Sequence, residues 1–351
     1  MKQPCGTFNT NYGQEMAIAR TRFQITLAIV AAVLFFAVAP FVLNAQLLSK
    51  INIMGIVVVG AIGLNILTGY CGQLNFGQSA FLAVGAYLSA MLCKHLGWNW
   101  FATVPVAVVG TALFGLIFGL PSLRIKGFYI AVTTMAALFI VMFLLVRGGA
   151  LTGGISGLQV SGVQIGDMVF DNEQKFFYLI MFFVVLAVFF AKNLVRGRVG
   201  RAFIAIRDND LAAELMGINI FKYKLIAFIA CSAYAGLAGS LFAAYYGYVS
   251  ADQFTFAESI WYIGYIIVGG LGSITGTIFG VVFLKVVEFI LRGVGPSISE
   301  MLPAIGTSFL SSSLVMVFGL IIIVFLIFEP RGLWHRWELA KASIRFWPFT
   351  Y

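Results

Sequence analysis

The side chains able to do chemistry are few and poorly grouped. His95 and His335 are the only histidines and stand at the ends of apolar runs, and the 13 acidic residues are scattered. No metal-ligand set, no nucleophile with its base and no pair of catalytic carboxylates can be built from them. Cys5, Cys71, Cys93 and Cys231 share no ligand or redox spacing and read as small packing residues. The phosphate-binding pattern G-x-x-x-x-G-K-[ST] is missing, as is any Gly-Lys pair. One charged group is closely spaced: Lys285, Glu288 and Arg292, at intervals of three and four, share a helix face. They form either a self-neutralising ladder or an ion-coupling site.

More informative are glycines mixed with polar residues. GYCGQLNFGQSAF (69–81) and GGLGSITG (269–276) each interrupt apolar sequence and share the outline G-x-x-G-x-[LI]. At membrane depth, such breaks expose backbone dipoles to a polar solute; at a membrane face they are tight turns between helices. The candidates for a solute path are Gly69, Gly72, Asn75, Gly77, Gln78, Ser79, Gly269 and Gly272. Asn65, Thr133 and Thr134 are further polar groups within apolar runs, suited to a path or to helix-to-helix hydrogen bonds. A third glycine cluster, TGGISG, offers Thr152, Gly153, Gly154 and Ser156, where the backbone is free to approach a ligand or another chain, or simply to turn.

The elements that must position these residues follow from composition. The chain is 61% hydrophobic and 10% charged, against about 25% charged in soluble domains. Apolar runs occur at 23–43, 51–68, 78–93, 101–120, 127–146, 176–191, 223–246, 259–274, 276–292 and 309–328. A spanning helix needs roughly 20 apolar residues. The expectation is an all-α polytopic membrane protein of about ten transmembrane helices with broken or re-entrant segments. It divides into an N-terminal tail 1–22, a membrane domain 23–330 and a C-terminal tail 331–351. The 38 glycines suit close helix packing in lipid, and the run after Arg20 and Arg22 is too long for a cleaved signal.

Charge sets the orientation. With the N-terminus inside, sixteen Lys and Arg fall on that side, Arg124, Lys126, Lys192, Arg196, Arg207 and Arg331 among them. Only Lys50, Lys94, Arg147, Lys175 and Arg292 fall outside, with Asp167, Asp171, Glu173, Asp252, Glu258 and Glu300. The positive-inside rule thus explains the net charge of +9 better than nucleic acid does, and places both termini in the cytoplasm. The longest polar interruption, 193–224, is also inside. Within it Ala202, Ile204, Ala205, Leu211, Leu215 and Ile218 can make the apolar stripe of a short interfacial helix that Gly217 stops. Such a helix either rests on lipid headgroups or is presented to a protein groove; Asp208, Asp210 and Glu214 favour the protein.

GYCGQLNFGQSAFLAVGAY closely resembles the hallmark segment of LivM-type branched-chain amino acid permeases. LRIKGFYIAVTTMA, LTGGISGL, GRAFIAIRDNDLAAELMGINIFKYKLIAF, SAYAGLAGSLFA, VGGLGSITGTIFG and FGLIIIVFLIFEPRGLW continue that resemblance in family order, from about Gly60 to Trp334. The resemblance implies an ATP-binding-cassette importer permease of the bacterial inner membrane, carrying branched-chain or related amino acids. It implies as partners a homologous LivH-type permease, two ATPase subunits that hold ATP and Mg, and a periplasmic binding protein that delivers a small polar solute. No cofactor is expected in this chain. The segment around Leu211 to Gly217 corresponds to the coupling helix, with Ala212, Ala213 and Gly217 matching the loose EAA-x-x-x-G pattern and Leu211 replacing its acid. Arg201, Asp208, Asp210 and Glu214 are its charged candidates for ATPase contact. A urea or short-chain amide importer is the alternative on substrate, and an ion-coupled transporter or channel the alternative on mechanism.

Overall fold

The computed structural model describes residues 38–122, 129–160, 163–165, 168–170, 172–301, 307–329 and 331–346, with isolated positions 26, 30, 33 and 36. Most of the expected span 23–43 lies outside the described residues, as do Arg20, Arg22, Arg124, Lys126, Asp167 and Asp171.

Apolar runs in lipid become helices because each backbone amide must be paired within its own segment. Helix α1 (Ala45–Asn65) continues through a π-helical turn, Ile66–Tyr70, and is followed by α2 (Gln78–Leu96), α3 (Trp100–Ser122), α4 (Tyr129–Arg147) and α5 (Glu173–Arg196). Two short helices come next, α6 (Arg198–Asp208) and α7 (Asp210–Leu215), then α8 (Ile220–Tyr246), α9 (Phe256–Gly269), α10 (Ile274–Met301), α11 (Thr307–Phe328) and α12 (Gly332–Phe346). Strand structure among the described residues amounts to two antiparallel two-residue pairs. Leu158–Gln159 pairs with Tyr248–Val249, and Gln164–Ile165 with Met168–Val169.

Among the described residues seven helices are long and apolar enough to cross a membrane: α1 with its π turn, α2, α3, α4, α5, α8 and α10 over Ile274–Gly293. The pair Val315–Phe328 and Gly332–Lys341, bent by 48°, makes an eighth if taken as one span. The all-α polytopic architecture expected from the sequence is therefore what forms. One apolar run behaves differently. The stretch 259–274 does not make a full helix, because α9 has 14 residues and stops at Gly270, whose φ of 121° no other residue adopts readily. At 1.5 Å per residue α9 reaches about 21 Å, short of a hydrocarbon core of about 30 Å.

Helix α8 lies at the centre, packed on α1, α2 and α3. Small residues make that closeness possible. A Cβ added to Gly85 of α2 would sit 2.5 Å from the Cα of Gly236 of α8, and one added to Gly280 of α10 would sit 2.6 Å from the Cα of Gly269 of α9. On the outside, Val109, Leu113 and Ile117 of α3 and Phe182, Val185 and Phe189 of α5 are exposed at helical spacing, the pattern of lipid-facing surface. The Lys285, Glu288 and Arg292 ladder forms: Glu288 accepts from Lys285 Nζ and pairs with Arg292, both at 2.9 Å.

Candidate functional site

The first break begins where α1 loosens into its π turn. After Tyr70 the chain reverses at Gly72, whose φ of 72° favours glycine, and stays non-helical to Gly77 before α2 opens at Gln78. Gln78 Nε2 donates to the carbonyl of Gly60 at 2.9 Å. Gly60 lies ten residues before Tyr70, so α2 starts about 15 Å inside the end of α1. The segment therefore re-enters the bundle, and its backbone donors need partners there. Asn75 Oδ1 accepts from Gly77 N at 2.9 Å, and Thr134 Oγ1 of α4 accepts from Phe76 N at 3.0 Å. Ser259 Oγ of α9 accepts from Ser79 N at 3.0 Å, with the two serine hydroxyls 2.7 Å apart, and Cys231 Sγ of α8 donates to Gln78 Oε1 at 3.3 Å. Asn75, Gln78 and Ser79 have no exposed surface, so in this conformation their polar atoms, with Phe76 N, hold the break to four neighbouring helices. Cys71, also buried, has its thiol pushed up to about 12 by desolvation.

The second break joins α9 to α10 through Gly270 and Gly272, the latter with a φ of 76°, and Ser273 Oγ accepts from Gly276 N at 3.0 Å. Asn65 of α1 reaches across. Its Oδ1 accepts from Gly272 N at 3.0 Å, while its Nδ2 donates to Ser273 O at 3.0 Å and Thr277 Oγ1 at 2.6 Å. A Cβ on Gly69 would lie 2.5 Å from Gly272 N. The two glycine breaks are thus one structure, touching backbone to backbone, and Asn65 serves it as a bridge. Thr133 and Thr134 donate back to Tyr129 O and Ala131 O of their own helix.

The polar interruption sits at the same end of the bundle. One interfacial helix was expected; two form, because Asn209 is extended (φ −160°) and its Oδ1 accepts from Ala212 N at 3.1 Å, capping α7 anew. Ala202, Phe203 and Ile206 bury the inner face of α6, and Ala213 is the buried residue of α7. Leu211, Leu215 and Met216, by contrast, are 63%, 88% and 83% exposed, so the expected apolar stripe is split and its second half faces out. Gly217, with a φ of 82°, terminates α7, and Asp208, Ala212 and Glu214 are exposed beside it, with Asp210 half-buried. Arg201 is exposed on α6.

What the sequence did not single out is Arg207. Its Nη1 donates to the carbonyl of Gly69 at 3.0 Å, in the loosened turn of α1, and its Nη2 pairs with Asp208 at 2.9 Å. A Cβ on Gly272 would lie 2.9 Å from the same Nη1. One guanidinium therefore touches both breaks from the end of α6. Its only distinguishing signal in the sequence is its position directly before the acid and the helix-breaking Asn209.

The remaining candidates lie at the opposite end. Thr152 Oγ1 donates to Leu145 O at 2.7 Å and accepts from Gly154 N, while Ser156 O accepts from Tyr248 OH at 2.8 Å. Gly153 and Gly154 take left-handed conformations, and Ile155 between α4 and the first strand is 79% exposed. This loop is pinned to the turn after α8 and is not brought to the breaks.

A family model described as branched-chain amino acid transport system / permease component matches residues 45–327. The chain is 31% identical over 327 residues to the high-affinity branched-chain amino acid transport system permease protein LivM of Escherichia coli K12, covering 86% of this chain and 73% of that protein. It is 24% identical to BraD of Pseudomonas aeruginosa over 316 residues, covering 85% of this chain and 97% of BraD. To LivH of Escherichia coli K12 it is 24% identical, covering 80% of this chain and 92% of LivH. No solved structure gives a significant match. The match spans the π turn, both breaks, Arg207 and the segment between α5 and α8, and with it this multi-pass membrane chain belongs to the family of branched-chain amino acid transport permease components, of the LivM type.

Proposed function

We propose that this chain is the permease subunit of an ATP-driven importer that moves branched-chain amino acids across the bacterial inner membrane, with both termini and the 193–224 segment in the cytoplasm. Likeness to both LivM and LivH supports pairing with a homologous permease. ATP and Mg belong to two partner ATPase subunits, and a periplasmic binding protein delivers solute at the face of the 152–157 loop.

The observation that carries this reading is the contact of Arg207 with Gly69 at 3.0 Å. Leu211, Leu215 and Met216 form an exposed apolar knob ringed by Asp208, Asp210 and Glu214, the chemistry of a helix that docks into a protein groove. Movement of that knob is transmitted along α6 to Arg207, and from Arg207 to the carbonyl of the π turn and to the second break. π turns have fewer constraints on their carbonyls and recur at functional sites. Opening the two breaks frees Asn75, Gln78 and Ser79 from their internal partners and presents them, with the N-terminus of α2, to a zwitterion at membrane depth.

The test is uptake of labelled leucine into proteoliposomes carrying the chain with its permease partner, ATPase subunits and binding protein. ATP-dependent leucine uptake is expected, with urea not carried; uptake driven by an ion gradient without ATP overturns the reading. Arg207→Ala is expected to keep the complex assembled and its ATPase active while uptake falls at least tenfold. Equal loss of assembly and uptake would reduce Arg207 to a packing residue.

A further inference from the structure

Next to the breaks, where the ends of α5 and α9 meet the starts of α10 and α12, lies a cavity of about 530 Å3. Lys192 and Arg196 of α5 line one wall, Arg331 and His335 the other, and the backbone from Gly270 to Thr275 forms its floor. Its single acidic lining residue, Glu338, already accepts from Trp334 Nε1 at 2.9 Å. Among the described residues no carboxylate pairs with Lys192, Arg196 or Arg331. Three cations against one carboxylate leave the cavity with an excess of positive charge, and an anionic group placed between Lys192, Arg196 and Arg331 lowers their mutual repulsion.

A second cavity, of about 710 Å3, shares Trp334 with the first and is almost wholly apolar. Phe279, Val282, Val286 and Ile290 of α10 form one side of it, and Leu333 and Trp337 of α12 the other. Its one charged lining residue, Arg336, is paired with Glu329. From Phe279 to Ile290 the groove follows α10 for about 16 Å, half of a hydrocarbon core of about 30 Å and hence the depth of one leaflet. A cationic cavity that shares a wall residue, Trp334, with an apolar groove about one leaflet long has the polarity pattern of a single phospholipid.

We infer that this composite cavity is a binding site for an anionic phospholipid, with the phosphate between Lys192, Arg196 and Arg331 and an acyl chain along α10. A packed partner helix would cover α10 over its whole length and would meet no cations in the groove. The site rests on α5, α10, α12 and the corner between α9 and α10, and not on the nature of the solute, so it stands or falls separately from the transport reading. The floor of the headgroup cavity is the second break itself, so an occupying lipid braces Gly270 to Ser273.

Full-length protein, purified from membranes with any subunits that accompany it, would be reconstituted in phosphatidylcholine vesicles containing phosphatidylglycerol with a photoreactive acyl chain. Label is expected on peptides carrying Phe279 to Ile290 and Trp337, several-fold above that from photoreactive phosphatidylcholine. The double variant Lys192→Gln/Arg331→Gln is expected to abolish that preference, and Val286→Trp, which fills the groove, to remove the label without touching the cations. Equal labelling by the two lipids, unchanged in the double variant, overturns the site. So does protection of Lys192 from acylation by inorganic phosphate with no label on α10, which would mark a free-anion cavity. Crosslinking of a Val286→Cys variant to a second permease, with no lipid label, also overturns it and makes the groove a subunit interface.

Discussion

The two breaks share an outline in sequence and diverge in structure. Gly72 and Gly272, each three residues after a glycine in the last turn of its helix, adopt nearly the same left-handed φ, 72° and 76°. After that common corner the second break restarts a helix within two residues, while the first stays open for five and re-enters the bundle. The difference lies in who satisfies the backbone. In the first, side chains on α4 and α9 and Asn75 within the break itself supply acceptors. In the second, Ser273 caps α10 locally and Asn65 of α1 does the rest. A backbone reversal needs only glycine; a re-entrant one needs polar partners waiting at depth.

The sharpest way to break this comparison is at the point where the two corners touch. Gly69→Val would drive a side chain into Asn65 Oδ1 and Gly272 N, backbone and bridge together. Overpacking costs about 1–3 kcal/mol when side chains can yield, and here a main-chain atom stands in the way, so loss of folded protein is expected, scored by detergent-stable yield. Gly72→Val, which meets the flexible Arg207 side chain, is expected to leave recoverable protein despite its strained φ.

Asn65→Leu tests whether one residue joins the breaks. It strands Gly272 N and takes away the amide that donates to Ser273 O and Thr277 Oγ1, and an unsatisfied buried donor costs about 1–3 kcal/mol. A drop in thermal melting temperature is expected, larger than for Asn75→Leu, which removes the acceptor for Gly77 N and only long donor contacts to Gln78 Oε1 and Cys231 Sγ. The reverse order would mean that the first break holds the second.

Ser259→Ala sharpens the same contrast from the other side. It removes the acceptor for Ser79 N and with it the hydrogen bonding that ties α9 to the start of α2. A loss of about 1–2 kcal/mol is expected, with Ser259→Thr restoring it; an unchanged melting temperature would show that water or another group takes over.

Much of the spanning architecture was legible because runs of 20 apolar residues have one solution in lipid. The breaks were legible as interruptions, since Gly69 to Gly77 cannot continue a helix cheaply. That they touch each other was not, because the contact is made by backbone, and the two side chains that reach both breaks, Asn65 and Arg207, come from distant parts of the sequence. The shortness of α9 was hidden for a similar reason: the apolar residues 259–274 continue past the Gly269 to Gly272 corner, and hydropathy does not register a φ of 121°. Arg207 was counted among the basic residues of one face, but nothing in its neighbours betrays a partner 138 positions away. The division of α6 from α7 was masked by an apolar periodicity that runs through Asn209 without interruption.

The smallest effect is expected at Gly217, the left-handed glycine that ends α7. A Cβ there meets nothing within 4 Å, so the penalty of Gly217→Ala is the backbone term alone, about 1–2 kcal/mol for an L-residue held left-handed. Unlike Gly69, it has no neighbour to displace, and the strain can be relieved by fraying the last turn of a six-residue helix. Melting temperature and yield should therefore match the parent protein, whereas affinity for the ATPase subunits, which depends on the presentation of Leu215 and Met216, should weaken by about tenfold or less. Size-exclusion co-elution at graded ATPase concentration measures both quantities on one sample. If Gly217→Ala lowers the melting temperature as much as Asn65→Leu does, then α7 is part of the bundle's core and not a surface held out for a partner.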